Sequence, residues 1–332
     1  MVSQFPLDYM HLICLGVMKR LISFWLKGKK NIRMTDASIA LANSRLIALQ
    51  STTPREFSRK PRPLSEFDRF KATEFRQILL YSGPAIFHNC LDNIKYYHFL
   101  SLTVAVSILV SKEFHISMND YARSLLIYFV ENFAKIYGHQ FVSYNVHNLV
   151  HICDDVKLFG PLDGYSCFKF ENYLQKLKKK VKTTGRSLAQ IVNRLTEESI
   201  IVKRYEKIIT YPIITFFNDN NDKLKLIKFL KYENYFLNAK IGDNCICTGS
   251  RDIVFIEKIF MENDTIFLRG KSFKNQQPYF RKPCDSTLLN ITVIEHEQHI
   301  EATIDSLQIE RKCIVIPVDD EKSVILPLIH EL

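Results

Sequence analysis

Two histidines, His147 and His151, stand four residues apart, and Glu171 heads a lysine-rich run, FENYLQKLKKKV from Phe170 to Val181. Imidazoles at that spacing share one face of a helix and can share a metal through their ring nitrogens. Asp8 and His11 form a second pair, three apart, and the two pairs together would supply three nitrogens and one carboxylate, a zinc shell. Glu171, near a helix start, could hold a divalent cation beside a phosphate while Lys176, Lys178, Lys179, Lys180 and Lys182 contact its neighbours. Each feature also has a plainer reading: Asp8 as a helix cap, the histidines as core or surface residues, Glu171 complementing a helix dipole, the lysines facing water. Two-metal phosphoryl chemistry needs several converging carboxylates, and Asp154, Asp155 and Asp163 are the other candidates. Asp154 and Asp155 are expected near a helix C-terminus, where the dipole disfavours them. The sequence has no Gly-rich phosphate loop, no Gly-x-Ser-x-Gly elbow and no His-Glu-x-x-His.

The elements that must position these residues are helical up to about residue 208. Apolar residues at three- and four-residue spacing predict helices over 8–26, 65–81, 96–111, 117–137, 144–159 and 187–207, with Thr35 capping another that runs to about Ser51. Gly83-Pro84, Gly138 and Gly160-Pro161 are the expected stops. Between Thr53 and Leu64 three prolines and the cations Arg55, Arg59, Lys60 and Arg62 predict a basic, non-helical connection. Beyond Tyr211, short β-branched and aromatic runs predict strands, with a hairpin loop at Glu262-Asn263-Asp264. The expected class is α+β: a helical domain over 1–208, a linker over 209–240, and a small antiparallel, barrel-like domain over 241–332.

Composition narrows the function classes. The 332 residues are 47% hydrophobic and 24% charged, a globular balance without low-complexity segments. The apolar stretch from Tyr96 to Ser111 is shorter than a bilayer needs and predicts a buried helix, so no membrane partner is expected. There is no secretory leader pattern, and the eight cysteines form no Cys-x-x-Cys, which favours reduced thiols inside a cell. Charge is uneven: residues 1–210 carry 30 Lys and Arg against 17 Asp and Glu, or +13, while the remainder carries 15 against 18, or −3. A polyanion would bind the basic part, with Arg59, Lys60, Arg62 and the lysines of the 170–182 run as its contacts.

Three blocks resemble the transposases of CACTA-type (Enhancer/Suppressor-mutator-like) DNA elements, the animal copies in particular. They are DYMHLICLGVMKRL from Asp8, SRKPRPLSEFDRFKATEFRQILLYSGP from Ser58, and FVSYNVHNLVHICDDVKLFGPLDGYSCFKFENYLQKLKKKV from Phe141. The resemblance implies an RNase H-like nuclease whose three acidic residues bind magnesium, the last of them on a helix after a long helical insertion. Glu171 matches that last carboxylate. Asp8 and His11 match the family's Asp-x-x-His signature, and with His147 and His151 they are similar to zinc-binding pairs in related recombinases, although the second pair's spacing differs. In the family the first two catalytic aspartates precede the Asp-x-x-His block, which only seven residues precede here. The expectation is therefore the C-terminal part of a transposase, with Glu171 a vestigial third carboxylate, structural zinc on Asp8, His11, His147 and His151, and magnesium only with a full catalytic core. The expected function is a transposase-derived, catalytically incomplete nucleic-acid-binding protein with DNA as partner, nuclear in location, with a homo-oligomer left open. The alternatives are a metal-dependent DNA strand-transfer enzyme, as a fragment of a complete transposase, and a protein-interaction scaffold without a nucleic-acid role.

Overall fold

The most apolar stretch of the chain becomes the centre of its helical part. In the computed structural model, which describes residues 4–204, 210–217 and 225–330, Asn93–Val110 is one helix, started by the Asp92 side chain accepting the Lys95 N–H and stopped at Ser111. By length and composition it could cross a membrane, yet 78% of it is buried inside the protein, as befits a core helix. The first helix, π-helical over Met10–Met18 and α-helical over Lys19–Lys27, and the helix Asn119–Tyr137 join the same core. Trp25 stands edge-on to Phe87 and Phe99 and donates its indole N–H to the Tyr137 hydroxyl at 3.0 Å.

Thr35 caps Asp36–Ala48 by accepting the Ser38 N–H, as its position predicts. The expected stop at Gly83-Pro84 does not occur. Ala72–Gln77 passes through a π turn, Ile78–Ser82, and the helix resumes over Gly83–Phe87. That turn leaves Pro84 in the first turn of the resumed segment, where its missing N–H breaks no ladder. The 144–159 run is also interrupted, into Tyr144–His147, a 3-10 turn over Asn148–Val150, and Ile152–Phe159. The restart places Asp154 and Asp155 in a first turn, where the dipole favours them, opposite to the C-terminal position expected. Cys167–Lys180, capped by Ser166, then packs with Ser187–Arg204 as a helical hairpin. On Cys167–Lys180 Phe168 is buried, but Phe170 is 64% exposed and Tyr173 and Leu174 are half-exposed.

The sheet starts earlier than the composition suggests. Strands β1 (Ile213–Phe216), β2 (Lys225–Lys231) and β3 (Phe236–Leu237) lie inside the span expected as linker. Only β2 carries lysines, Lys225, Lys228 and Lys231, separated by apolar pairs, and so short and mixed a run passes for a connection. The sheet continues through β4 (Cys245–Thr248), β5 (Ile253–Glu262), β6 (Thr265–Phe273), β7 (Gln277–Pro278), β8 (Thr292–Glu295), β9 (Ile300–Asp305), β10 (Ile309–Pro317) and β11 (Lys322–Pro327). Neighbours pair antiparallel in the order β1-β2-β5-β4-β10-β11-β8-β7, with β3 on β2 and β6 between β5 and β9. The expected hairpin joins β5 to β6: Asn263 and Asp264 both take positive φ, 48° and 59°, as a two-residue turn of matching twist requires. The class is α+β.

What joins the two parts is written into β10. Its side chains alternate, so Cys313 faces a small core inside the sheet with Cys245, Cys247 and Phe273, while Ile314 and Ile316 enter the helical core. Lys312, fully buried, donates from Nζ to Glu56 Oε2 at 2.7 Å, Asp243 Oδ1 at 2.8 Å and the Phe236 carbonyl at 2.8 Å. Glu56 belongs to the basic connection, and Arg55 beside it takes the other Asp243 oxygen at 2.7 Å. Burial works to raise the Asp243 carboxyl, but Lys312 and Arg55 hold it below the ordinary range. Gly242 passes under this connection at φ +94°, and a Cβ there would lie 3.1 Å from the carbonyl oxygens of Thr52 and Thr53.

Replacing Lys312 by Met should leave the buried Glu56 carboxylate without a counter-charge and Asp243 with Arg55 alone, and cost about 3–5 kcal/mol, read as a lowered midpoint in urea unfolding. A loss under about 1 kcal/mol would mean that water reaches the pair.

Two buried imidazoles make stability pH-dependent. Burial pushes His98 down to about 4, against its hydrogen bond to the Phe129 carbonyl, and burial with the Arg76 charge pushes His330 down to about 3. Both rings are neutral when folded, while the unfolded chain takes up protons below the ordinary histidine range. Stability should therefore be full near pH 7 and fall by about 1.4 kcal/mol per pH unit for each ring as the pH drops from about 6.5 towards 4. Thermal unfolding between pH 7 and 5, above the carboxylate range, checks this; a flat profile would show the rings to be charged when folded.

Candidate functional site

Asp8 sits where the chain enters its first helix, and its carboxylate joins that entry to a helix 159 residues on. Oδ1 accepts the Cys167 N–H at 2.8 Å and the Met10 N–H at 3.3 Å; Oδ2 accepts the His11 N–H at 2.9 Å and meets His11 Nδ1 at 2.5 Å. One residue earlier, the Leu7 N–H is held by Asp155 at 2.8 Å. Burial raises the Asp8 carboxyl, yet these donors outweigh it and keep it below the ordinary range. Asp8 is thus both the cap expected of it and a staple to the helix of Glu171.

The staple brings three different donors together. A ligating atom from each of Asp8, His11 and Cys167 lies within 4.8 Å of the others, at a partly exposed place. Oxygen, nitrogen and sulfur in one cluster suit zinc. His11 Nδ1 and the Asp8 carboxylate meet each other directly, and an ion held by both would replace that hydrogen bond. Burial first, then the charge and hydrogen bond of Asp8 and the charge of Glu171, push the Cys167 thiol up. A raised thiol is a poor nucleophile, and an ion bound beside it would have to displace its proton.

The four-ligand shell read from the sequence is not the group that the fold assembles. Asp8 and His11 meet Cys167, and among the described residues no cluster of three or more potential ligands includes His147 or His151. Those two form a separate exposed pair, ring centroids 5.5 Å apart, carried by the interrupted helix beside the first. Gly16 permits that approach, since a Cβ there would fall 2.3 Å from the Asn145 side chain. Cys167 escaped the sequence reading because a scattered cysteine looks like a core thiol; its place directly after the Ser166 cap and one turn before Glu171 was the available signal.

Glu171 is exposed on Cys167–Lys180, and among the described residues it belongs to no cluster of potential metal ligands. The other carboxylates have different partners: Asp154 pairs with Arg123, Asp155 with the Leu7 N–H, and Asp163 with Arg76 at 3.6 Å. Of the expected polyanion contacts, Arg59, Lys60, Lys176, Lys178, Lys179 and Lys182 are exposed. Arg62 and Lys180 are committed elsewhere. Arg62 holds Glu74 by two hydrogen bonds of 2.7 and 2.9 Å and Glu66 by one of 2.9 Å, and Lys180 pairs with Glu198 across the helical hairpin.

If Asp8, His11 and Cys167 hold zinc, purified protein should carry a stoichiometric amount by elemental analysis, and Cys167→Ser should lose it while His147→Ala with His151→Ala should not. Retention in the Cys167 variant would put the ion elsewhere.

Two family models match the chain, both described as domains of unknown function: DUF4218 over residues 109–211 and DUF8592 over residues 210–328. Their junction falls just before β1. DUF4218 is a domain seen in plant transposase-like proteins. No curated protein and no solved structure matches the chain.

Proposed function

We propose that the chain is a transposase-derived nucleic-acid-binding protein of the CACTA type, without a complete nuclease centre of its own. The observation that carries this reading is the Cys167–Lys180 helix, whose N-terminal end is tied through Cys167 to the Asp-x-x-His motif while its exposed Lys176, Lys178 and Lys179 stand clear of the core. Fixed at one end and basic along its length, such a helix suits the regular charge spacing of a phosphate backbone. The resemblance of the three sequence blocks and the occurrence of DUF4218 in plant transposase-like proteins support the same reading. Incompleteness rests on Glu171: a two-metal centre needs converging carboxylates, and the other acidic candidates are engaged away from it. In this proposal DNA is the partner, the nucleus the place of action, and zinc on Asp8, His11 and Cys167 a structural ion.

Fluorescence anisotropy with duplex DNA tests it. Affinity should fall steeply with salt, and Lys176→Gln, Lys178→Gln and Lys179→Gln together should weaken binding and flatten the log–log salt slope by about 0.9 for each phosphate that is no longer neutralised. With magnesium present the same duplex should stay uncut. Salt-independent binding, or none at low salt, would favour a protein-interaction scaffold; nicking that disappears in Glu171→Gln would favour a strand-transfer enzyme.

A further inference from the structure

A cavity of about 140 Å³ opens between the basic connection and the start of the Cys167–Lys180 helix. One water needs only ~10–15 Å³ on that measure, so the space takes a larger polar group. Ser58, Arg59, Thr73, Arg76, Lys169 and Asn172 supply its polar lining.

Two carboxylates also line it, and their partners decide its charge. Glu56 accepts from the Phe236 N–H at 2.7 Å and from Lys312 at 2.7 Å, so it is already balanced by a buried cation. Against the other, Asp163, stand the guanidinium groups of both Arg59 and Arg76, so the lining is net positive before Lys169 is counted. Arg76 is the unusual member. Its side chain is only 12% exposed, its guanidinium lies over the Phe168 ring at 4.2 Å, and its ion pair with Asp163 Oδ1, at 3.6 Å, is longer than a hydrogen bond. A guanidinium on a ring face keeps its N–H donors in plane for a planar or tetrahedral oxyanion.

We propose that this cavity binds a phosphomonoester dianion, held by Arg76 and Arg59 with the Thr73 hydroxyl and the Asn172 amide as further donors. The cavity meets the same helix that carries the exposed lysines, so a phosphate at a nucleic-acid strand end could sit here while the strand follows Lys176, Lys178 and Lys179. This extension rests on the nucleic-acid reading; the capture of phosphate itself does not.

Calorimetry of the full chain with inorganic phosphate is the direct test. The wild type should bind, and Arg59→Gln and Thr73→Val, at positions outside the core, should each weaken binding about tenfold, the usual worth of one charge-assisted hydrogen bond. Arg76→Lys, which keeps the buried charge but not the fork, should weaken it at least as much. Absence of phosphate binding, or binding indifferent to all three variants, overturns the proposal. For the extension, a 5′-phosphorylated single strand should bind more tightly than its 5′-hydroxyl twin, and the preference should vanish in Arg59→Gln. Equal affinity for the two strands overturns the extension alone; weaker DNA binding by the lysine variants would still support the nucleic-acid reading.

Discussion

The buried ammonium of Lys312 is the constraint from which the rest of the molecule hangs. A lysine removed from water needs compensating charge on more than one side, and here the partners come from different parts of the chain: Glu56 from the connection, Asp243 and the Phe236 carbonyl from the sheet domain. Satisfying that one charge therefore requires the connection to lie against the sheet. Ile314 and Ile316, which follow it on the same strand, then meet the helical core. The proline-rich segment that looks like a spacer is thus a structural joint, and its extended backbone suits it to reach both sides.

The joint also explains why only some of the segment's cations are available to a ligand. Arg55 completes the buried network and Arg62 braces the Leu64–Arg69 turn and the Ala72–Gln77 helix through Glu66 and Glu74. Arg59 and Lys60, between them, face outwards. The same division runs through the Cys167–Lys180 helix, where Lys180 closes the hairpin and Lys176, Lys178 and Lys179 do not. Charge in the sequence is a count; which charges remain for a polyanion depends on which have been paired within the fold.

Asp8 plays a comparable part where the first helix begins. One short carboxylate caps that helix, orients His11 and holds the backbone of Cys167, so the first and last of the three resembling blocks meet in one place. This gives the spacing between them a physical meaning: the intervening helices form the core around Asn93–Val110 and return the chain to its start.

Periodicity and punctuation by themselves determined the α+β class, the buried Asn93–Val110 helix, the Thr35 cap and the Asn263-Asp264 hairpin, because each follows from local backbone preference or from a repeat of apolar residues. Asp8 and His11 were legible as a pair for the same reason: residue type and spacing place them. Tertiary structure decided what spacing cannot express. It chose Cys167 over His147 and His151 as the companion of Asp8 and His11, turned Phe170 and Tyr173 outwards, carried the helix through Pro84 by way of a π turn, and made strands of the expected linker. These outcomes depend on contacts between residues distant in sequence, and a local pattern carries no information about which distant group will arrive to fill a donor's empty valence.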